Sequence, residues 1–274
     1  MLNSQLKDYV TRYVLAGVRT PAQYLGSELN MVRKDHRTVR GRLCLAFPDV
    51  YQIGMSHHGL QVLYSLMNSR DEWACERVFA PWLDMEQALR RHALPLYSLE
   101  TFTPIGQFHV LGFSLQYELL NTNVLTMLDL AGIPLRAADR TMAHPLVIAG
   151  GPCVQNPEPM APFMDVFVSG DGEPSLPRVC DSWLQLSQLH DQAPAACSTN
   201  GSPNGVAKLC HEELLSGRGT KTGSGVEQGK ARQQTREERL LRLAKELPFC
   251  YVPRFYEPEY QKGRLVTLNR QRQE

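Results

Sequence analysis

The segment Asp49-Val50-Tyr51-Gln52-Ile53-Gly54 sets a carboxylate, a phenol and a glycine directly after an apolar run, Leu43-Cys44-Leu45-Ala46-Phe47, that reads as a buried strand. Asp49 at such a strand end can cap a turn. A histidine at position 51 would offer neutral imidazole, a good ligand for a transition metal. Tyr51 instead offers a phenol with an ordinary pKa of about 10, a poor ligand at neutral pH. The loop closes on a glycine and offers no strong metal ligand of its own.

Three further turns carry residues of the same kind. Ser114-Leu115-Gln116-Tyr117-Glu118 follows an apolar run. Ser114 either satisfies a local backbone group or hydrogen-bonds a ligand heterocycle. In Gly150-Gly151-Pro152-Cys153 the glycines either make a tight turn or, lacking Cβ, let backbone approach a flat ligand. In Gly170-Asp171-Gly172-Glu173, Glu173 either favours a helix N-terminus or binds a ligand hydroxyl. His57 and His58 read as residues that start a helix rather than as metal ligands, because no second His/Cys cluster lies near them.

The elements that must position these turns follow from the hydrophobic pattern. Residues 41–190 alternate short apolar runs with amphipathic stretches, the pattern of an α/β domain with a parallel sheet. Strands are predicted at 42–47, 95–99, 109–114, 146–149 and 165–169. A helix begins near Ser56 and carries Leu60, Leu63, Leu66 and Met67 inward. A second carries Met85, Ala88, Leu89 and Ala93; a third spans about 117–131 and a fourth about 175–188. Residues 1–40 read as a helical lead-in. Residues 191–234, polar and glycine-rich, read as a flexible linker with one short helix near 206–215. Residues 235–274 hold a short amphipathic helix and a tail whose run Phe249-Cys250-Tyr251-Val252-Pro253-Arg254-Phe255-Tyr256 is aromatic enough to pack on a surface.

The expected fold is therefore a Rossmann-like, parallel five-stranded sheet with flanking helices. In the flavodoxin-like strand order 2-1-3-4-5, ligands bind beyond the carboxyl ends of the strands where the order reverses. That order brings the turns after strands one, three and four to one mouth, with the 170–173 turn at its border. Asp49, Tyr51, Gly54, Ser114, Leu115, Gly150 and Gly151 would line the site, with Glu173 nearby.

Composition narrows the classes. Lysine plus arginine number 29 against 28 aspartate plus glutamate, a net charge of +1, which argues against a dedicated nucleic-acid binder. The cluster Arg33, Lys34, Arg37, Arg40, Arg42 reads as a solvated approach to the first strand. No apolar run nears the roughly 18 residues that span a bilayer, and the N-terminus lacks a signal-peptide core, so a cytoplasmic chain with reduced thiols is expected. The seven cysteines include no C-x-x-C or C-x-x-x-C-x-x-C. No G-x-G-x-x-G follows strand one, and there is no G-x-x-x-x-G-K-[ST] or G-x-S-x-G.

Longer motifs carry a family resemblance. They are Leu45-Ala46-Phe47-Pro48-Asp49-Val50-Tyr51-Gln52-Ile53-Gly54-Met55-Ser56-His57, Glu76 to Glu86, Gly112 to Glu118, Asn123 to Leu135, Ala149 to Cys153, Asn156-Pro157-Glu158-Pro159, Gly170 to Glu173 and Tyr251 to Pro258. Together they resemble the N-terminal region of a family of B12-binding-domain radical SAM proteins of unknown reaction. The spacing Asp49-x-Tyr51-x-x-Gly54 is that of Asp-x-His-x-x-Gly, the loop that holds cobalamin in many corrinoid proteins.

The resemblance implies a cobalamin-binding-type domain ahead of a radical SAM barrel, present in cis or in trans. Any bound cobalamin would have no histidine on cobalt, and Tyr51 would lie beneath the corrin or fill its place. The barrel carries the C-x-x-x-C-x-x-C run that holds a four-iron cluster and cleaves S-adenosylmethionine. This sequence reaches Glu274 without that run, so no [4Fe-4S] cluster or S-adenosylmethionine site and no catalysis alone are expected of what reads as a truncated chain, a split subunit or a fragment. Two alternatives stand beside this: a ligand-free domain that docks onto a radical SAM partner, and a flavodoxin-like domain that binds another nucleotide.

Overall fold

The computed structural model describes residues 3–188 and 235–271. The expected linker at 191–234, with its short helix, lies outside the described residues.

The chain opens with α1 (Ser4–Tyr9) and short helical turns. Strand β1 (Gly41–Phe47) follows, then α2 (Tyr51–Ser56), α3 (His58–Asn68), β2 (Trp73–Phe79) and α4 (Leu83–Arg91). Next come β3 (Val110–Ser114), α5 (Asn121–Leu130), β4 (Leu146–Gly150), β5 (Val166–Val168) and α6 (Gly172–Gln188). The last part holds α7 (Arg236–Glu246), β6 (Cys250–Tyr251), β7 (Tyr256–Gln261) and β8 (Arg264–Arg270). The central sheet has six strands in the order β2-β1-β3-β4-β5-β6. The first five are parallel, and β6 runs antiparallel beside β5. The sheet thus has the expected order with one strand more.

The central strands are apolar on both faces, as helices on both sides demand. Leu43, Leu45, Val110, Ile148 and Val166 pack with α3, α6 and α7. Cys44, Ala46, Leu111, Val147 and Phe167 pack with α4, α5 and the N-terminal segment. Cys44 is a small core residue, as its place in β1 suggests.

The second strand is Trp73–Phe79 and not 95–99. Glu76 and Arg77 at its centre interrupt the apolar pattern, yet both are buried because other groups pair with them. The 95–104 segment turns back along the outer side of β2. Leu99 N–H donates to Arg77 O at 2.9 Å, and Tyr97 bridges Pro104. It covers an edge that would otherwise present unpaired backbone groups.

The basic approach to β1 is largely solvated, as expected, with Arg33, Arg37 and Arg40 exposed, but two of its cations also hold backbone carbonyls. Lys34 Nζ donates to the carbonyls of Asn68, Arg70 and Trp73 at 2.7–2.8 Å, and Arg33 donates to those of Glu100 and Gly26. These two cations tie the lead-in to the rim of β2.

The aromatic tail packs on this same domain. Tyr251 stacks on Phe167 at 6.0 Å, and Val252 and Phe255 are buried with α6 and α7. Beyond them β7 and β8 form an antiparallel hairpin. Among the described residues no helix is long and apolar enough to cross a membrane.

Candidate functional site

A cavity of about 280 Å³ opens at the carboxyl ends of β1, β3, β4 and β5, between the sheet and the starts of α3 and α6. Its apolar wall includes Leu45, Leu60, Leu63, Ile148, Val168 and Leu176. Gly112, Gly150 and Gly151 leave the sheet side without side chains, and His57, Ser114, Gln116, Asp171 and Glu173 supply polar groups. The strand order reverses between β1 and β3, so the cavity sits where a doubly wound sheet takes its ligands.

The two adjacent glycines serve different ends. Gly151 has φ of 101°, and a Cβ there would come within 2.6 Å of Leu115 O; its backbone conformation and the close approach both require glycine. Gly150 has neither constraint, since a Cβ at that position would meet only Val168 O, at 3.9 Å. What a side chain at 150 would take up is cavity space. Ser114 Oγ accepts from Gln116 Nε2 at 2.8 Å and keeps its own hydroxyl hydrogen to donate. Glu173 stands in the first turn of α6, where the helix dipole favours a carboxylate.

Of the residues expected to share one mouth, Ser114, Gly150, Gly151 and Glu173 line this cavity; Asp49, Tyr51, Gly54 and Leu115 do not. Leu115 is buried in the opposite core, and only its backbone serves the site: its N–H donates to Gly150 O and its carbonyl accepts from Cys153 N–H. Asp49 accepts from the Tyr117 hydroxyl, tying the β1 loop to the β3 loop, and this bond holds the phenol pKa above its ordinary value.

Tyr51 begins α2 and turns away toward the lead-in. Its hydroxyl donates to Glu28 Oε1 at 2.9 Å and its ring meets Phe79 edge-on at 5.5 Å. Burial, reinforced by Glu28, pushes its pKa up to about 12, which makes the phenol a poorer metal ligand at neutral pH than an ordinary tyrosine.

Gly54 is a packing residue: a Cβ there would fall 2.2 Å from the Phe79 ring and 3.2 Å from that of Phe47. Gly54→Ala is expected to cost about 1–3 kcal/mol through overpacking. Thermal unfolding checks it, and an unchanged midpoint would refute the close approach.

His57 is the N-cap of α3, as its place at a helix start suggests, and it lines the cavity as well. That second role, and those of Gly112 and Gln116, were not evident from spacing. The available signal was a histidine at the cap position of the helix following the first strand's loop. Among the described residues no group of three or more His, Cys, Asp or Glu side chains is arranged to hold a metal ion.

The chain is thus a doubly wound α/β domain with a small glycine-lined cavity at its switch point. A family model described as radical SAM proteins, N-terminal, matches residues 59–198, just over half of the 274 residues. The chain belongs to that family. No curated protein and no solved structure matches it.

Proposed function

We propose that this chain is the ligand-holding N-terminal module of a radical SAM protein, and that its cavity holds the heterocyclic base of a corrinoid such as cobalamin, with no histidine on cobalt. The observation that carries this reading is Gly150, a glycine that the backbone does not need and whose missing side chain the cavity does.

Size supports the match. A volume of about 280 Å³ lies just under the roughly 300–1,000 Å³ of ligand pockets and amounts to about nine waters' share of liquid. That is room for a two-ring base and not for a corrin macrocycle, which would lie outside the cavity. The carboxyl end of the sheet offers apolar surface for it: Ile53, Trp82, Leu83, Tyr117 and Leu119 are all exposed on the segments after β1, β2 and β3. Exposed apolar side chains gathered at one end mark a contact surface. Ser114 would bind the base edge, and Asp171 and Glu173 would accept from sugar hydroxyls. Tyr51 is engaged with Glu28 and offers cobalt nothing.

A bound corrinoid supplies cobalt-centred alkyl and electron-transfer chemistry. The protein's part is to hold the base and present the macrocycle to a radical SAM barrel, in cis or in trans, that brings the iron–sulfur cluster and S-adenosylmethionine.

Spectroscopic titration with hydroxocobalamin tests this. Wild-type protein should bind saturably, and Gly150→Val should bind about a hundredfold more weakly with an unchanged melting temperature, a loss of roughly 2.7 kcal/mol. No binding by the wild type, or equal binding by the variant, would overturn the assignment of this cavity. In the first case the exposed apolar end would be left as a docking face.

A further inference from the structure

We infer that His57 is a hydrogen-bond donor to the ligand in this cavity, through Nε2–H, and that it selects a neutral heterocycle bearing an unprotonated ring nitrogen. The inference rests on the reading of the cavity as a base-binding site and adds to it the residue that recognises the base.

The tautomer follows from the helix cap. His57 Nδ1 accepts from Leu60 N–H at 3.1 Å, the bond that closes the first turn of α3. A neutral imidazole whose Nδ1 accepts must carry its proton on Nε2. The ring is fixed on two further sides. It lies against Phe47 with centroids 5.0 Å apart and planes at 41°, and a Cβ on residue 59 would come within 3.1 Å of its Cε1. Gly59 leaves space for that ring position. Nε2–H has no hydrogen-bond partner among the described residues, and His57 is one of the residues that line the cavity.

The same geometry excludes His57 as a substitute for the missing histidine at position 51. Metal ligation needs a free lone pair on Nε2. With Nδ1 already accepting, that lone pair exists only if the ring becomes an anion or abandons the cap. The imidazole in this site therefore donates and does not ligate.

Ser114, whose Oγ already accepts from Gln116, is a second donor from the end of β3. Asp171 and Glu173 supply acceptors at the start of α6. Donors within and carboxylates beyond fit an aromatic base with sp² nitrogen attached to a hydroxylated sugar. They do not fit a carboxylate or phosphate.

The experiment compares two corrinoids on wild type and His57→Asn. Asparagine keeps an oxygen that can cap α3 and removes the Nε2 donor. Hydroxocobalamin carries the benzimidazole nucleotide; dicyanocobinamide has the corrin alone. The variant should melt as the wild type does, bind hydroxocobalamin about tenfold more weakly, and bind dicyanocobinamide equally well. Equal hydroxocobalamin binding by both proteins would overturn the role of His57 and leave the cavity assignment standing. Failure of the wild type to bind hydroxocobalamin would overturn both. A histidine-on-cobalt spectrum lost in His57→Asn would overturn the donor role in favour of ligation. Independently of any ligand, the ¹⁵N resonances of His57 should show a protonated Nε2 and an unprotonated Nδ1; the reverse pattern would overturn the inference.

Discussion

Replacing Arg77 with methionine is expected to remove about 3–5 kcal/mol of folding stability at pH 8, read from urea unfolding. Arg77 is 1% exposed and lies at the centre of β2. Its Nε donates to Glu100 Oε1 at 2.8 Å, and its backbone N–H donates to Glu100 Oε2 at 2.7 Å. Nη1 reaches Gln61 Oε1 at 3.0 Å, and the guanidinium lies 4.0 Å from the centre of the Tyr64 ring. Glu100 is fully buried, so methionine would leave a carboxylate in the interior without its cation. Removing one member of a buried pair costs far more than the pair contributes, because the remaining charge is desolvated and uncompensated.

The pH dependence has a definite sign. Burial pushes the Glu100 carboxyl up to about 7, against the opposing pull of Arg77. A carboxyl whose folded pKa is raised favours the fold while protonated. Its contribution is present below the unfolded value of about 4.3 and is lost as pH rises through the folded one. Without Arg77 the folded pKa rises further, so the deficit of Arg77→Met should be smaller at pH 5 than at pH 8. A deficit that does not change with pH would show that Glu100 is not the group left behind.

This cluster also explains why β2 was hidden in the sequence. Strands β1, β3, β4 and β5 are legible because uninterrupted apolar runs suit a sheet covered on both faces. Trp73–Phe79 breaks that rule with adjacent charges, and the partners that make them tolerable come from segments distant in sequence. Glu76 accepts from Ser98 and Thr101 and meets His36; Arg77 finds Glu100. No periodicity reports such pairing. The two-residue β6 is too short to leave a pattern. The β7–β8 hairpin had a local sign, Lys262-Gly263, both at positive φ as a tight hairpin turn requires.

The site divides along similar lines. Ser114, Gly150, Gly151 and Glu173 were legible because their position at strand ends in a doubly wound sheet determines what they can line. Tyr51 illustrates the limit. Spacing placed it in the right loop, but its direction is set by Glu28 and Phe79, one 23 positions before it and the other packed from β2. His57 was recognisable as a helix start, whereas its place among the residues that line the cavity depends on how α3 docks on the sheet.

Arg236→Met is expected to release the C-terminal segment from the sheet while the remaining domain stays folded. Arg236 is the first residue of α7 and is 5% exposed. Nη1 donates to Thr141 O at 2.8 Å and His144 O at 3.0 Å; Nη2 donates to Pro145 O at 2.7 Å and Asp165 Oδ2 at 2.8 Å. Asp165 keeps Arg140 and the Val147 N–H, so its charge would remain partnered. The three carbonyls before β4 would lose a donor they share. Leaving these carbonyls without their buried donor should lower local stability by about 1–3 kcal/mol. Amide hydrogen exchange is expected to accelerate across α7 and β6, with protection of β1, β3 and β4 retained. The selectivity follows from the connections, since α7 and β6 meet the domain through α6 and β5 at one edge of the sheet. Unchanged exchange in α7 would mean that Leu240 and Leu243, buried against α6, hold the segment without the arginine. Equal acceleration in β1 and β3 would mean that the edge and the centre of the sheet unfold as one unit.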